Sequence, residues 1–195
     1  RAARRHGLVP NLTTSGFGMR ADLARALAPH VGQVNVSVDG LGPAYARVRG
    51  HEGAAAGLRA IDLLVAAGVR VGVNTVLSRT TFEHLPALGA ELVRRGVAEW
   101  QWLRLKPAGR GAAAYADLRL TSAQILRVWP ALLRAESLGL TMRIDCAMVP
   151  FLAAHDLDPA TLERLGVTGC EGGVSLMARG ADGTWSPCSF AHHPS

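Results

Sequence analysis

Short runs rich in β-branched residues alternate with stretches whose apolar residues recur every three or four positions, and this alternation limits the chain to very few architectures. Leu8-Val-Pro-Asn-Leu-Thr-Thr14 is an extended apolar run. Val34-Asn-Val-Ser-Val38, Val69 to Leu77, Trp100-Gln-Trp-Leu-Arg-Leu105 and Thr141-Met-Arg-Ile144 read as strands. Between them, Leu23, Ala24, Leu27 and Ala28 share one helical face, and Leu58, Ile61, Leu64 and Val65 share another. Thr80 or Thr81 is suited to cap a third helix that stops at Gly96. Thr121-Ser122 opens a long fourth helix that carries Ile125, Trp129, Leu132 and Leu133 inward, with Pro130 a local departure. Arg47, Arg49 and Gly50 are expected in a loop. Four such alternations suit right-handed βαβ units and a parallel sheet. The expected fold is α/β, a partial (β/α) barrel of about four units over residues 1–140. Four units do not close a barrel, so the chain is expected to be a piece of a larger one.

The 195 residues are 49% hydrophobic, enough for one sizeable core with a small appendage. The net charge of +6 rests on arginines scattered beside acids on helical polar faces, such as Arg94, Arg95 and Glu99 or Arg134 and Glu136. Solvated helix faces explain that pattern, and with 5% aromatic residues few platforms exist for stacking bases. No nucleic-acid partner is expected. No apolar run is long enough to span a bilayer and no signal-peptide pattern is present, so no membrane partner and a cytoplasmic location are expected.

Residues 141–195 carry all three cysteines, an odd number that argues against a disulfide framework. From Cys170, the apolar run Val174 to Ala178 leads into Asp182-Gly183, and Thr184 to Pro187 then delivers Cys188. Asp-Gly between two short extended runs is a hairpin signal, and a hairpin carries its two thiols back toward one another. Thiolates suit zinc and Fe–S clusters alike, but structural zinc sites usually include a close Cys-x2–4-Cys pair, which is missing here. Cys146 is a third candidate ligand, its alternative being a buried free cysteine that acts as a small hydrophobe. His192 and His193 read as exposed tail.

Gly, Ser, Asp and Arg cluster after the strands, at the edge where parallel α/β folds bind ligands. In order, Thr13-Thr-Ser-Gly16, Val36-Ser-Val-Asp-Gly40, Arg47-Val-Arg49-Gly50 with Gly53, Val73-Asn-Thr-Val-Leu-Ser-Arg79 and Leu105-Lys-Pro-Ala-Gly-Arg110-Gly111 resemble segments of radical S-adenosylmethionine (radical SAM) enzymes of the SPASM/twitch subgroup. Cys170-x12-Gly183-x4-Cys188 resembles the opening of the SPASM cysteine pattern. The family's Cys-x3-Cys-x2-Cys loop and Gly-Gly-Glu-Pro segment are not in this sequence, nor are the later SPASM cysteines. The resemblance therefore implies an internal portion of such an enzyme.

The resemblance further implies SAM and a [4Fe–4S] cluster as cofactors, an auxiliary Fe–S cluster, a peptide or protein substrate, and a reductant such as flavodoxin or ferredoxin. In the family, SAM is cleaved to a 5′-deoxyadenosyl radical that abstracts hydrogen. SAM presents a ribose diol, an adenine edge and a zwitterionic amino acid, which hydroxyls, carboxylates and guanidinium groups can bond. By resemblance Ser37 is the leading SAM contact and Asp39 shapes its turn, with Thr14, Ser15, Arg49 and Asn74 as further contacts. Asn74 is polar within an apolar strand, which favours a barrel lumen over a packed exterior. Asp39-Gly40 also fits a plain strand-ending turn, and Arg110 fits a ligand contact or a rim salt bridge. Cys170, Cys188 and Cys146 are the implied ligands of the auxiliary cluster. Two other readings stay open: a cluster-less binding or scaffold protein, and an unrelated barrel with a zinc-stabilised hairpin.

Overall fold

The computed structural model describes residues 1–167 and 169–191, and for Arg110 the backbone alone. His192 and His193 lie outside the described residues. Strands β1 (Asn11–Thr14), β2 (Gln33–Ser37), β3 (Val71–Leu77), β4 (Glu99–Arg104) and β5 (Thr141–Ile144) form one parallel sheet in the order β1-β2-β3-β4-β5. Because all five strands run parallel, their carboxyl ends line one edge of the open sheet. The helices are α1 (Ala2–Arg5), α2 (Ala21–Leu27), α3 (Pro43–Arg49), α4 (Ala54–Ala66), α5 (Leu85–Arg94), α6 (Arg110–Leu118), α7 (Ser122–Ile125), α8 (Val128–Glu136), α9 (Val149–Leu152) and α10 (Pro159–Arg164).

Strand alternation divides the sheet into two unlike faces. Val34, Val36, Val73, Leu77, Trp100, Trp102, Met142 and Ile144 are buried beneath helices, where they meet Ile61 and Leu64 of α4, Leu88 and Leu92 of α5, and Leu132 of α8. Each such Val or Leu contributes roughly 1.5–3 kcal/mol when withdrawn from water. The other face is polar. Thr13, Asn35, Gly72, Glu99 and Thr141 are register partners across all five strands, and Ser37, Asn74, Gln101 and Arg143 form the next row across β2 to β5. Parallel sheets are ordinarily apolar on both faces, so a polar, half-buried face is the feature that sets this sheet apart.

Gly72 keeps the lower polar row flat. A Cβ there would collide with Asn35 Oδ1 and stand 2.7 Å from Gln33 Nε2. Those side chains cross the glycine because Gln33 Nε2 donates to Asn35 Oδ1 at 2.8 Å and to Glu99 Oε1 at 2.9 Å.

Three local expectations are corrected. Arg47 and Arg49 sit on helix α3 and not in a loop. Pro43 opens it with φ already set, and Gly50, at φ 77°, closes it in the left-handed conformation. The long helix from Thr121 is two helices. In a continuous helix the Pro130 ring would strike the Leu126 carbonyl, so α7 stops at Ile125 and Pro130 falls in the first turn of α8. Thr121 does cap α7, in a reciprocal box with Gln124. Thr81, by contrast, turns back and donates to the Val76 carbonyl at 3.2 Å.

β5 pairs with β4, and Met148, Leu152, Leu165 and Val167 join the same core. The antiparallel hairpin β6 (Ala178–Arg179) and β7 (Trp185–Ser186) follows. Its turn is held by Asp182 Oδ1, which accepts from the Thr184 amide at 3.0 Å and the Thr184 hydroxyl at 2.7 Å. The strand is shorter than the apolar run Val174 to Ala178 suggested. Val174 stands 85% exposed, outside it.

Candidate ligand site at the carboxyl edge of the sheet

The turn after β1 is set first. Thr14 Oγ1 accepts from the Gly16 amide at 3.0 Å, and Gly16 adopts φ +85°. A Cβ on Gly16 would stand 2.9 Å from both Ala60 Cβ and Gly57 Cα, so only glycine lets this turn press against α4. Ser15 is thereby left exposed at the edge beside it.

After β2 comes Asp39, whose side chain is 1% exposed. Its Oδ1 accepts from the Val76 amide of β3 at 2.7 Å, and its Oδ2 pairs with Arg49 Nε at the end of α3. Burial pushes the Asp39 carboxyl above its ordinary range, and Arg49 and the Val76 amide offset this in part. Both carboxylate oxygens are engaged by protein. Asp39 therefore works as a brace between β2, β3 and α3. Arg49 keeps 25% of its side chain exposed at the edge.

Ser37 and Asn74 are register partners on the polar face. Asn74 Oδ1 is buried and has no hydrogen-bond partner. An orphaned buried carbonyl costs about 1–3 kcal/mol. A ligand donor, such as an ammonium or a sugar hydroxyl, would relieve that cost. Gln101, the partner of Asn74 on β4, extends the same row. It was missed in the sequence, although the alternation Trp100-Gln-Trp102 carries the signal. The structure thus gathers Ser37, Asn74 and Gln101 in one row and Thr14, Ser15, Asp39 and Arg49 along its upper edge. Arg110 begins α6 beyond β4, and its side chain lies outside the described residues.

At β4 and β5, Lys106 pairs with Asp145 at 2.9 Å and lies 3.9 Å from the centroid of Phe190. The Phe190 amide donates to Cys188 Sγ at 3.5 Å. Cys170 Sγ and Cys188 Cβ each lie 3.5 Å from the place where a Cβ on Gly172 would stand, so the hairpin does draw these two residues together. Cys146 is exposed just after Asp145, which removes the buried-hydrophobe alternative for it. Among the described residues, no three His, Cys, Asp or Glu side chains meet in a group able to hold a metal ion.

Several arginines form ion pairs with neighbouring acids: Arg94 and Arg95 with Glu91, Arg127 with Glu83, and Arg164 with Glu136. Among the described residues no helix is long and apolar enough to cross a membrane.

Solved structures resemble this chain over almost its whole length. Streptococcus suis SuiB bound to S-adenosylmethionine superposes with a TM-score of 0.72 at 11% identity, covering 100% of this chain and 46% of SuiB. SuiB bound to its precursor peptide SuiA gives a TM-score of 0.68 at 13% identity, over 96% of this chain and 44% of SuiB. Native anSMEcpe with bound AdoMet gives 0.63 at 14% identity, over 95% of this chain and 53% of that protein. The chain shares the fold of these proteins. It spans about half of their length. No family model and no curated protein matches the sequence.

Proposed function

We propose that this chain is the SAM-binding portion of a radical SAM enzyme of the SPASM/twitch type, cytoplasmic, and acting on a peptide or protein. The observation that carries this reading is the buried, unpartnered Asn74 Oδ1 beside Ser37 on the polar face of a parallel sheet. Ser37, Asn74 and Arg49 offer a hydroxyl, an amide carbonyl and a guanidinium. A ribose diol, an ammonium and a carboxylate need that set. Thr14 and Ser15 border the same edge, and Asp39 holds Arg49 in place. Bound SAM would supply, after reductive cleavage by a [4Fe–4S] cluster, a 5′-deoxyadenosyl radical for hydrogen abstraction. The 195 residues contain no Cys-x3-Cys-x2-Cys loop for that cluster, so they are assigned binding and orientation, with no step of the cleavage. SuiB bound to SuiA supports a peptide as the substrate class.

Residues 141–195 form the second part of the proposal, the start of an auxiliary Fe–S domain ligated by Cys170 and Cys188, with Cys146 as a further ligand. The amide of Phe190 on Cys188 Sγ is the kind of contact that stabilises a thiolate. A flavodoxin- or ferredoxin-like reductant is the expected electron donor.

Calorimetric titration with SAM tests the binding role. The protein should bind SAM saturably, and Ser37→Ala and Asn74→Ala should each weaken binding by about tenfold. Absence of binding, or wild-type affinity in both variants, would favour the scaffold reading. Zinc without iron or sulfide after anaerobic purification would favour the zinc-stabilised hairpin.

A further inference from the structure

A second candidate site lies on the helix-covered side of the sheet, away from the SAM row. Arg127, Ala131, Arg134, Ala135 and Leu138 recur along α8 and its flanks at helical spacings, so they share one stripe. Leu85 and Pro86, which open α5, line the same space, with the buried rings of Trp100 and Trp102 beneath it. Near Gly89 of α5 the packing is tight, and a Cβ there would stand 3.0 Å from Leu138 Cδ1. Toward Ala131 and Ala135 the stripe offers only methyl groups, and a cavity of about 310 Å³ is left between the helices. Apolar cavities of about 150 Å³ hold a single benzene ring, so this one has room for two fused rings.

The charged side chains on the lining are Glu83, Arg127 and Arg134. Glu83 and Arg127 neutralise one another, since Arg127 Nη1 and Nη2 donate to the two carboxylate oxygens at 3.0 and 2.9 Å. The Arg127 guanidinium is also fixed against Phe82, 5.3 Å from the ring centroid. Arg134 is exposed, which puts it at the mouth of the cavity, and among the described residues no acid pairs with it. Glu136, two residues on, is taken by Arg164. An apolar cavity with one unpaired guanidinium at its mouth matches a ligand with an apolar body and a single carboxylate, which arginine binds through two parallel N–H bonds.

We propose that this cavity binds an amphipathic carboxylate, with one or two apolar rings between α5 and α8 and the carboxylate on Arg134. The proposal is independent of the SAM reading. The matched pair 2-naphthoate and 2-naphthamide, alike in shape but not in charge, tests it on the purified protein by calorimetry and by ligand-observed NMR. The acid should bind saturably at one site and about fivefold more tightly than the amide, the scale of a solvent-exposed ion pair. Added salt should weaken the acid alone. Arg134→Gln should bring the acid to the affinity of the amide and leave the amide unchanged. Ala131→Leu should fill the cavity and abolish binding of both, whereas Asn74→Ala should affect neither. The comparison of the two ligands on the unaltered protein stands even if a cavity variant fails to fold. No saturable binding of naphthoate would overturn the proposal. Equal affinity for acid and amide, or full naphthoate affinity in Arg134→Gln, would overturn it as well.

Discussion

Asp39 and Arg49 form an ion pair that ties the end of β2 to the end of α3, with the carboxylate 1% and the guanidinium 25% exposed. The same carboxylate accepts the Val76 amide, so one side chain sets the relative position of two strands and a helix. Asp39→Ala strands that buried amide and frees Arg49. It should lower unfolding free energy by about 2–4 kcal/mol in urea denaturation. Asp39→Asn keeps an acceptor for Val76 and should cost less than half as much.

The pH dependence follows from the same residue. Burial raises the Asp39 carboxyl in the folded state, so the folded protein holds this proton more tightly than the unfolded chain does. The stabilisation is complete below the ordinary carboxylate value and is lost as pH rises through the folded value. Asp39→Asn should remove this component. The difference in stability between variant and wild type should therefore change across that window and be constant above it, as read from urea midpoints at a series of pH values.

A variant at Asn74 tests the proposed ligand binding apart from the architecture. Its buried Oδ1 makes no internal bond, so Asn74→Ala should leave the thermal midpoint of the ligand-free protein unchanged or slightly raised. SAM affinity should fall by about tenfold in calorimetry. A loss of stability at full affinity would mark Asn74 as structural.

Cys170→Ser and Cys188→Ser should each lower the iron and sulfide retained after anaerobic reconstitution, by at least half. Cys146→Ser should do so as well if all three thiolates share one cluster. Colorimetric iron and acid-labile sulfide assays check this directly. Iron content unchanged in both the Cys170 and Cys188 variants would rule out the hairpin as a ligand.

Lys106 over the Phe190 ring links the chain beyond the hairpin to the strand edge. Such a contact is worth about 0.5–1 kcal/mol when exposed. Phe190→Ala should make the segment after Cys188 more sensitive to limited proteolysis while leaving the thermal midpoint of the sheet unchanged.

Much of this architecture was legible because periodicity is a local property. Strand β5 falls at its expected limits, and Leu58, Ile61, Leu64 and Val65 fall on helix α4 as expected, since β-branched runs and a single apolar helical face need no partner to be recognised. Helix α3 was missed because seven residues offer barely two turns of pattern, although Pro43 and Gly50 mark its ends. Helix α6 was missed because its alanines carry helix propensity but little amphipathic contrast.

The sequence by itself determined that the chain is α/β, that its strands run parallel, and that Ser37 and Asp39 lie at the end of a strand. Spacing along the chain is enough for those conclusions, because strand and helix periods and βαβ handedness act over neighbouring residues. Only the tertiary structure decided which polar residues meet. The row Ser37, Asn74, Gln101 and Arg143 exists through interstrand register, and its members are 27 to 42 residues from their neighbours in the row. It likewise decided that Asp39 is spent on Val76 and Arg49, that Asn74 Oδ1 is left unpaired, and that Trp102 borders a cavity. Hydrogen-bond satisfaction and packing gaps depend on where distant side chains end up, and a one-dimensional pattern does not encode that.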